Sequence, residues 1–332
     1  MYLIKNLNTN PYFNLASEEY FIDHLDQDAI ILWRNDKAVI IGKNQNALEE
    51  INQKYVIENN IAVVRRLTGG DAVFHDLGNI NFTVIQKSDA SLFTNYAHFT
   101  KPVCDFLRSL GINAELSGRN DLLIDGLKFS GNAQTVRKGK VMHHGTLLFS
   151  ADVKDISASL NPDKLKIQSK GVKSVRSRVT NISSHLSQKM DVEEFFESLY
   201  QYFLNNTDNI VPYEMTQRDI DAINALVHDK YGTWEWNFGT SPQYTWQNRQ
   251  KYDFGIVDIR LLVKNGQILE AKIYGDFFGI KSVGEIEKKL IGTLHKSDEL
   301  AKVFRNIDIG EYISGMKNEE FLNMLLDGCS AP

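Results

Sequence analysis

The residues best suited to chemistry lie within residues 63–84, where two arginines precede a pair of glycines. Arg65 and Arg66 are followed by Thr68-Gly69-Gly70 and then by a short apolar segment that ends in His75. Paired glycines let a backbone approach a ligand closely and adopt positive φ, and a planar guanidinium suits phosphate or carboxylate. This pattern predicts a loop that binds an anion between two strands.

A simpler interpretation of this stretch is a β-hairpin whose glycines only turn the chain. The neighbouring Arg-Arg and His-Asp pairs favour the anion-binding interpretation, because a turn alone needs neither. Since the loop lies between strands and not before a helix, it is neither a P-loop nor a dinucleotide-binding turn.

The composition excludes several classes of protein. The chain has 332 residues, which predicts one large domain and one smaller domain. Its formal net charge of −5 argues against a general nucleic-acid or membrane-surface binder. We find no apolar run of membrane-spanning length, no signal-peptide core and only two cysteines, so we expect a cytoplasmic protein with reduced thiols.

Hydrophobic periodicity and turn signals predict an α+β fold. The predicted helices cover residues 11–25, 47–58, 95–110, 191–204, 216–229, 283–294, 297–305 and 317–327. The predicted strands cover residues 29–33, 38–42, 80–85, 141–149, 254–263, 268–274 and a hairpin centred on Asp125-Gly126. A polar interruption near residues 240–250 predicts a boundary between a domain of residues 1–246 and one of residues 247–332.

Several residues outside the glycine stretch could also do chemistry. Lys128 and Ser130 point to one face of a predicted strand. The adjacent His143 and His144 must face opposite sides of another strand, so we expect one to face a cavity, and a shared metal is disfavoured. Cys104 lies beside the apolar stripe of a predicted helix, which favours a place in the core over a role as nucleophile.

A basic segment lies further along the chain. Its charged residues are Lys164, Lys166, Lys170, Lys173, Arg176 and Arg178. Composition leaves two interpretations open: a solvated surface, or a loop that closes over an anionic ligand.

The glycine stretch resembles a known family. Residues 65–79 resemble the signature R-R-x-[ST]-G-G-G-A-V-[FY]-H-D-x-G-N of lipoate–protein ligases of the LplA type. Further matches follow the family's order at residues 33–35, 117–121, 128–133, 143–148, 173–181 and 234–239. The resemblance therefore covers almost the whole chain.

The resemblance implies a fold and a two-step reaction. The implied fold is a mixed-sheet catalytic domain, shared with biotin–protein ligases, and a small α+β C-terminal accessory domain. Lipoate and ATP, with Mg²⁺, would give lipoyl-AMP and pyrophosphate. The lipoyl group would then pass to a lysine of an acceptor, either an E2 lipoyl domain of a 2-oxoacid dehydrogenase or a glycine-cleavage H protein. Neither nucleic acid nor a membrane is an expected partner.

The resemblance also implies roles for individual residues. Lys128 occupies the place of the family's essential lysine, which contacts carbonyl and phosphate oxygens. One of Arg65 and Arg66 is expected to hold phosphate or carboxylate while the other supports the loop. Asp121 is a candidate for contacting the nucleotide or its metal. The positions expected to bind lipoate, lipoyl-AMP or ATP are Arg65, Arg66, Thr68, Gly69, Gly70, Asp71, Val73, Phe74, His75, Asn79, Asn120, Asp121, Lys128, Gly131 and His144, with Leu32 a further candidate beside the acyl chain.

One position departs from the family's pattern, because Asp71 stands where the signature has its third glycine. Aspartate would be strained if the position required positive φ, and a carboxylate facing a phosphate would repel it. Three outcomes remain open: the side chain points to solvent without effect, which we favour, it binds Mg²⁺, or it weakens adenylation.

Two rival functions remain. A lipoyl or octanoyl transferase of the same fold would use no ATP and would carry the acyl group on a cysteine, but neither Cys104 nor Cys329 lies in a pocket motif. A non-catalytic binding protein has only Asp71 in its favour, and the presence of Lys128 argues against it.

Overall fold

The chain folds as two compact units. The computed structural model describes residues 1–43, 47–87, 92–118, 120–161, 179–239, 244–275, 277, 281–327 and 329–330. Met1–Lys43 and Ile61–Thr233 form the first unit, and Asn44–Asn60 and Trp234–Pro332 form the second. The basic segment at residues 164–178 and Arg119 of the predicted motif lie outside the described residues.

An eight-stranded mixed sheet organises the first unit and confirms the α+β class. Its strands are β1 (Tyr2–Lys5), β2 (Ala29–Arg34), β6 (Asn79–Lys87), β7 (Ala114–Ser117), β8 (Asp121–Ile124), β9 (Leu127–Arg137), β10 (Lys140–Leu148) and β11 (Val211–Tyr213). They follow the order β11-β1-β2-β6-β10-β9-β8-β7. The first three are parallel and the remaining neighbours pair antiparallel.

A three-stranded sheet carries the glycine loop. Strand β3 (Ala38–Ile41) pairs in parallel with β4 (Ala62–Arg65) and antiparallel with β5 (Val73–His75). The loop therefore joins two strands that lie on opposite sides of β3. The hairpin interpretation is wrong, because the strands before and after the glycines do not pair with each other.

Most helices lie where the periodicity predicts them, but Val153–Ser159 falls where none was predicted, and Pro11–His24 is buried on nearly every face instead of along one apolar stripe. In the first unit they are α1 (Pro11–His24), α4 (Tyr96–Ser109), α5 (Val153–Ser159), α6 (Val192–Asn206) and α7 (Gln217–Leu226). Helix α1 begins as its sequence predicts, since the Asn10 side chain accepts hydrogen bonds from the backbone N–H groups of Tyr12 and Phe13. Cys104 on α4 is buried in the core, which confirms its prediction, and burial raises the pKa of its thiol.

The second unit is an α+β unit that also includes residues 44–60, which the prediction placed in the first domain. Its helices are α2 (Ala47–Glu50), α3 (Gln53–Glu58), α8 (Gly284–Leu290), α9 (Ser297–Phe304) and α10 (Asn318–Leu326), so the helix expected over 47–58 is two helices. Its antiparallel sheet comprises β12 (Tyr244–Tyr252), β13 (Gly255–Lys264), β14 (Gln267–Gly275) and β15 (Cys329–Ser330).

The boundary expected after residue 246 falls inside β12. The polar residues that resemble a linker, 247–251, are part of a strand, and Trp246 beside them is fully buried in the second unit's core. Every helix in the described part of the chain is too short or too polar to span a lipid bilayer.

A partly buried charge cluster fixes α1 to the first unit. Arg137 donates to Asp23 through Nε at 2.6 Å and Nη2 at 2.7 Å, and to Glu19 through Nη2 at 3.1 Å. Lys230 and Tyr231 donate to the same Glu19 at 2.6 and 2.8 Å. These contacts tie α1 to β9 and to the chain at residues 230–231.

We predict that Asp23→Asn lowers the free energy of unfolding at pH 7 by about 1–2 kcal/mol, because the partly exposed Arg137 loses a carboxylate that is only 10% exposed. The Arg137 hydrogen bonds lower the pKa of Asp23. The stabilisation that the ionised Asp23 contributes is therefore fully present above the pKa of about 3.9 that Asp23 has in the unfolded chain. It is lost as the pH falls through the lower pKa that Asp23 has in the folded protein. Urea denaturation at pH 7 and in the acid range would measure both effects.

The matched control is Asp105→Asn, which removes a more exposed carboxylate paired with Lys101 and Arg108. Its expected cost is below about 1 kcal/mol. Equal costs for the two variants, or an Asp23→Asn deficit that does not shrink in acid, would contradict this assignment.

Candidate active site

A cavity of about 320 Å³ lies in the first unit, and both of its sheets contribute to the wall. Predicted positions that line it are Arg66, Gly70, Asp71, Val73, His75, Asn120, Asp121, Lys128, Gly131 and His144. Residues that the prediction did not include also line it: Leu15, Trp33, Ile40, Asn81, Asn132, Ala133, Gly145 and Thr146.

An ion pair lies in this wall. Lys128 on β9 places its Nζ 2.7 Å from Oδ1 of Asp121 on β8, and both side chains remain partly exposed. The ammonium passes close over Gly131, where an added Cβ would lie 3.2 Å from Nζ. The tight Asp125-Gly126 turn, with φ of 49° and 76°, brings β8 and β9 together as predicted.

The Arg66 side chain holds the glycine loop in place. Its Nη2 donates to the carbonyls of Gly69 and Asp71, each at 2.8 Å, and its Nη1 donates to that of Ile40 at 3.1 Å. Its Nε donates to the Thr68 hydroxyl at 2.9 Å. Burial lowers the pKa of Arg66 to about 10, so it remains a cation at neutral pH.

Some predicted positions lie behind the cavity wall. Arg65 is fully buried and its Nη1 donates to the carbonyls of Gly42 and Lys43 at 2.8 and 3.2 Å. The remaining predicted positions outside the lining are Thr68, Gly69, Phe74, Asn79 and Leu32. Their motif positions alone could not distinguish a residue that touches the cavity from one that braces it.

A hydrogen-bonded chain connects the loop to α1. Thr68 Oγ1 lies 2.8 Å from Nε2 of His144 on β10, and Nδ1 of the same imidazole lies 2.9 Å from Glu18 Oε1. Thr83 donates to that carboxylate oxygen at 2.6 Å and accepts from the Trp33 indole at 2.9 Å. Side chains from α1, β2, β6, β10 and the loop therefore share one network. Sequence reasoning missed Glu18, since no local pattern indicates a partner 126 residues from His144.

Asp71 lies on the exposed side of the loop. The left-handed conformation falls on Gly70, with φ of 96°, and Asp71 lies outside that region. The steric cost that positive φ would impose on aspartate therefore does not arise. Its carbonyl is held by Arg66, while the residue also lines the cavity.

His75 has a defined neutral form. Asn14 donates to Oδ1 of Asn35, and Asn35 donates through Nδ2 to Nδ1 of His75 at 3.1 Å. The proton of the neutral imidazole therefore lies on Nε2. Burial, with smaller contributions from Arg66 and His144, lowers the pKa of His75 to about 3.

A second network fixes the segment that carries Asp121. Asn132 donates to the carbonyl of Asn120 at 3.1 Å, and Asn120 donates to that of Asn132 at 2.9 Å. The Asn132 side chain needs Gly145, where an added Cβ would lie 2.2 Å from its Oδ1. Nε2 of His143 lies 3.1 Å from the same oxygen.

His143 and His144 face opposite sides of β10, as predicted. The His143 ring stacks on Phe99 with centroids 5.0 Å apart, whereas His144 lines the cavity. Among the described residues no group of three or more His, Cys, Asp or Glu side chains could hold a metal ion.

Comparison with known proteins agrees with this architecture. Residues 10–204 match the family described as the lipoyl protein ligase A/B catalytic domain, and residues 241–325 match the bacterial lipoate protein ligase C-terminus. A lipoate-protein ligase of Bacillus subtilis, LplJ, is 45% identical over 330 residues, which is 98% of this chain and 100% of that protein.

Solved structures of lipoate–protein ligases also resemble this chain. A bi-partite lipoate protein ligase from Thermoplasma acidophilum, described with its E2 lipoyl domain, has a TM-score of 0.64 and 32% identity over 72% of this chain and 96% of its own. A lipoate-protein ligase A bound with ATP has a TM-score of 0.62 and 30% identity over 72% of this chain and 98% of its own. The chain therefore belongs to the lipoate–protein ligase family.

Proposed function

We propose that the cavity of the first unit is where this lipoate–protein ligase activates lipoate with ATP. A carboxylate oxygen of lipoate attacks the α-phosphorus of ATP, and the bond to pyrophosphate breaks. The ε-amino group of an acceptor lysine then attacks the acyl carbonyl of lipoyl-AMP. The bond to AMP breaks, the amine loses a proton, and an amide remains. The observation that carries this proposal is the position of the Lys128 ammonium in the cavity wall.

Lys128 is the residue that we assign to catalysis. In the first step negative charge builds on the α-phosphate oxygens, and in the second it develops on the acyl carbonyl oxygen and on the phosphate of the departing AMP. A fixed ammonium beside these oxygens stabilises that charge. Asp121 holds the ammonium at 2.7 Å. A phosphate or carboxylate of the ligand could replace the Asp121 carboxylate as the partner of the ammonium, while Lys128 stays in the wall.

The glycine loop supplies a rigid backbone beside the same site. Because Arg66 holds the carbonyls of Gly69 and Asp71, the loop is positioned before any ligand arrives. Four of the five N–H groups of a guanidinium are already engaged by Thr68, Ile40, Gly69 and Asp71. Arg66 therefore acts mainly as a brace for the loop, and its buried cation favours an anion nearby.

Mg²⁺ would accompany ATP. The ion usually binds substrate phosphates and only one or two protein carboxylates, so a dedicated protein cage is not required. Asp121 is the carboxylate that we propose for this role, since it lines the cavity. The ion would neutralise phosphate charge when bound.

The acceptor is a protein lysine, and we propose an E2 lipoyl domain or a glycine-cleavage H protein. The Thermoplasma ligase is described with an E2 lipoyl domain, which supports the first choice. We further propose that the C-terminal accessory domain begins before β12, close to residue 241 where its family match starts, and that the protein acts in the cytoplasm.

The ATP-independent transferase is less well supported. Such an enzyme needs a reactive thiolate, whereas Cys104 lies in the hydrophobic core with a raised thiol pKa. The side chain of Cys329 lies outside the described residues.

We predict that Lys128→Ala lowers kcat/KM for lipoate-dependent pyrophosphate exchange by about 10²–10³-fold, because the developing charge loses its stabilising cation. The melting temperature should change little, since the side chain is partly exposed. Lys87→Ala, at the exposed end of β6, is the control and should keep activity within about twofold. A Lys128→Ala enzyme as active as the control would overturn the catalytic assignment.

We predict that Asp71→Gly changes pyrophosphate exchange by less than about threefold. Asp71 is exposed and its backbone is unstrained, so the substitution by glycine removes neither backbone strain nor a buried charge. The assay should include a titration of Mg²⁺ in both proteins. A large gain of activity in the variant would indicate that Asp71 weakens adenylation, and a higher Mg²⁺ requirement would indicate that it binds the ion.

A further inference from the structure

Two buried polar atoms in the cavity wall have no hydrogen-bonding partner among the described residues. They are Nε2 of His75 and Nδ2 of Asn81, whose residues are 3% and 1% exposed. Both residues line the cavity. Leaving a polar group buried without a partner costs free energy, so such groups in a ligand cavity indicate a polar atom of the ligand.

The unpaired end of Asn81 does not depend on how the two amides are oriented. Asn79 Nδ2 lies 3.0 Å from Asn81 Oδ1, which uses one end of the Asn81 amide. Exchanging O and N in both amides keeps that hydrogen bond and still leaves the other end of Asn81 unpaired. For His75, the hydrogen bond from Asn35 leaves Nε2–H as a donor.

The register of the large sheet shows where Asn81 lies along the cavity. Trp33 on β2 is directly opposite Asn81 on β6, and Asn81 is directly opposite Thr146 on β10. Thr146 accepts a hydrogen bond from the backbone of Gly131 on β9, beneath the Lys128 ammonium. These residues form a row across four adjacent strands, and each of them lines the cavity.

The spacing of the strands in this row gives the distance along the cavity between Asn81 and the strand of Gly131. Neighbouring strands lie about 4.7–4.9 Å apart, so Asn81 is roughly 10 Å from the strand of Gly131. His75 lies at the same end, because its ring centroid is 6.1 Å from that of Trp33.

The substrate has polar atoms at a matching distance. The two sulfurs of lipoate are attached to its sixth and eighth carbons, five and seven bonds from the carboxyl carbon. An extended chain advances about 3.3–3.6 Å for every three bonds, so these carbons lie roughly 6–8 Å from the carboxyl carbon. With the carboxyl group at Lys128, the sulfurs reach the level of Asn81.

We infer that Asn81, together with His75, forms a polar subsite that recognises the disulfide of the dithiolane ring and selects against a plain alkyl chain. A thioether sulfur is a weak hydrogen-bond acceptor, and disulfide sulfur offers similar lone pairs. An octanoyl chain would instead bury both groups against methylenes. A site with unpaired polar groups rejects the analogue that lacks their partner.

This inference rests on the proposed function, and one substrate series tests it. Pyrophosphate exchange would be measured on the full chain with lipoate, octanoate and 5-cyclopentylpentanoate, in which CH₂ groups replace both sulfurs. We expect kcat/KM for lipoate to exceed that for either carbon analogue by about tenfold or more. The cyclopentyl compound separates recognition of sulfur from recognition of ring shape, and it requires no variant.

The matched variants are Asn81→Leu and Leu15→Val. Asn81→Leu removes the amide at similar volume, so the lipoate-to-octanoate ratio should fall by about fivefold or more, mainly through better use of octanoate. Leu15→Val changes the apolar wall alone and should leave that ratio within about twofold.

Equal use of lipoate and the cyclopentyl compound by the parent enzyme would overturn the inference alone. An unchanged ratio in Asn81→Leu would do the same. Absence of exchange with every acid would overturn the ligase activity itself and this inference with it.

Discussion

The guanidinium of Arg66 is the interaction on which the cavity depends. It is buried, and its hydrogen bonds hold the carbonyls of Gly69, Asp71 and Ile40 together with the Thr68 hydroxyl. Thr68 extends this arrangement to His144 on the large sheet. One cation therefore fixes the loop to its own sheet and connects it with the second sheet. The buried charge is tolerated because four oxygen acceptors surround it.

The opposite wall is built in a different way. Lys128 and Asp121 form a partly exposed ion pair whose members come from adjacent strands. The networks of Asn132 and His143 fix the backbone beneath it, and Gly131 and Gly145 leave room for the side chains. The loop wall is thus fixed by a buried cation, while the wall that carries Lys128 presents a partly exposed cation whose partner a ligand could replace. Such a contrast suits a site that must bind ATP, form an adenylate and release AMP.

Local features of the chain were predictable from sequence. Three features depend only on a few neighbouring residues: the Asp125-Gly126 turn, the placement of Lys128 beside it, and the helix cap at Asn10. Long-range pairing was not predictable. The two strands around the glycine loop each pair with β3, and nothing in the loop's residues indicates this third strand.

The missed residues of the site have the same explanation. Asn81 and Leu15 become part of the cavity through sheet register and helix packing, which no short motif encodes. Glu18 would be a surface residue by composition, yet it is 1% exposed and contacts His144. Strand β12 was missed because its polar residues resemble a linker, although its pairing with β13 is continuous.

The most direct test of the central claim is a crystal structure of the protein with lipoyl-AMP bound. We predict the acyl chain along the row from Gly131 to Trp33, with the acyl carbonyl or phosphate oxygen within hydrogen-bonding distance of Lys128 Nζ. The separation between Lys128 and Asp121 should then exceed the present 2.7 Å. A ligand bound outside this cavity, or an adenylate within it that leaves the ion pair intact and makes no contact with Lys128, would contradict the account.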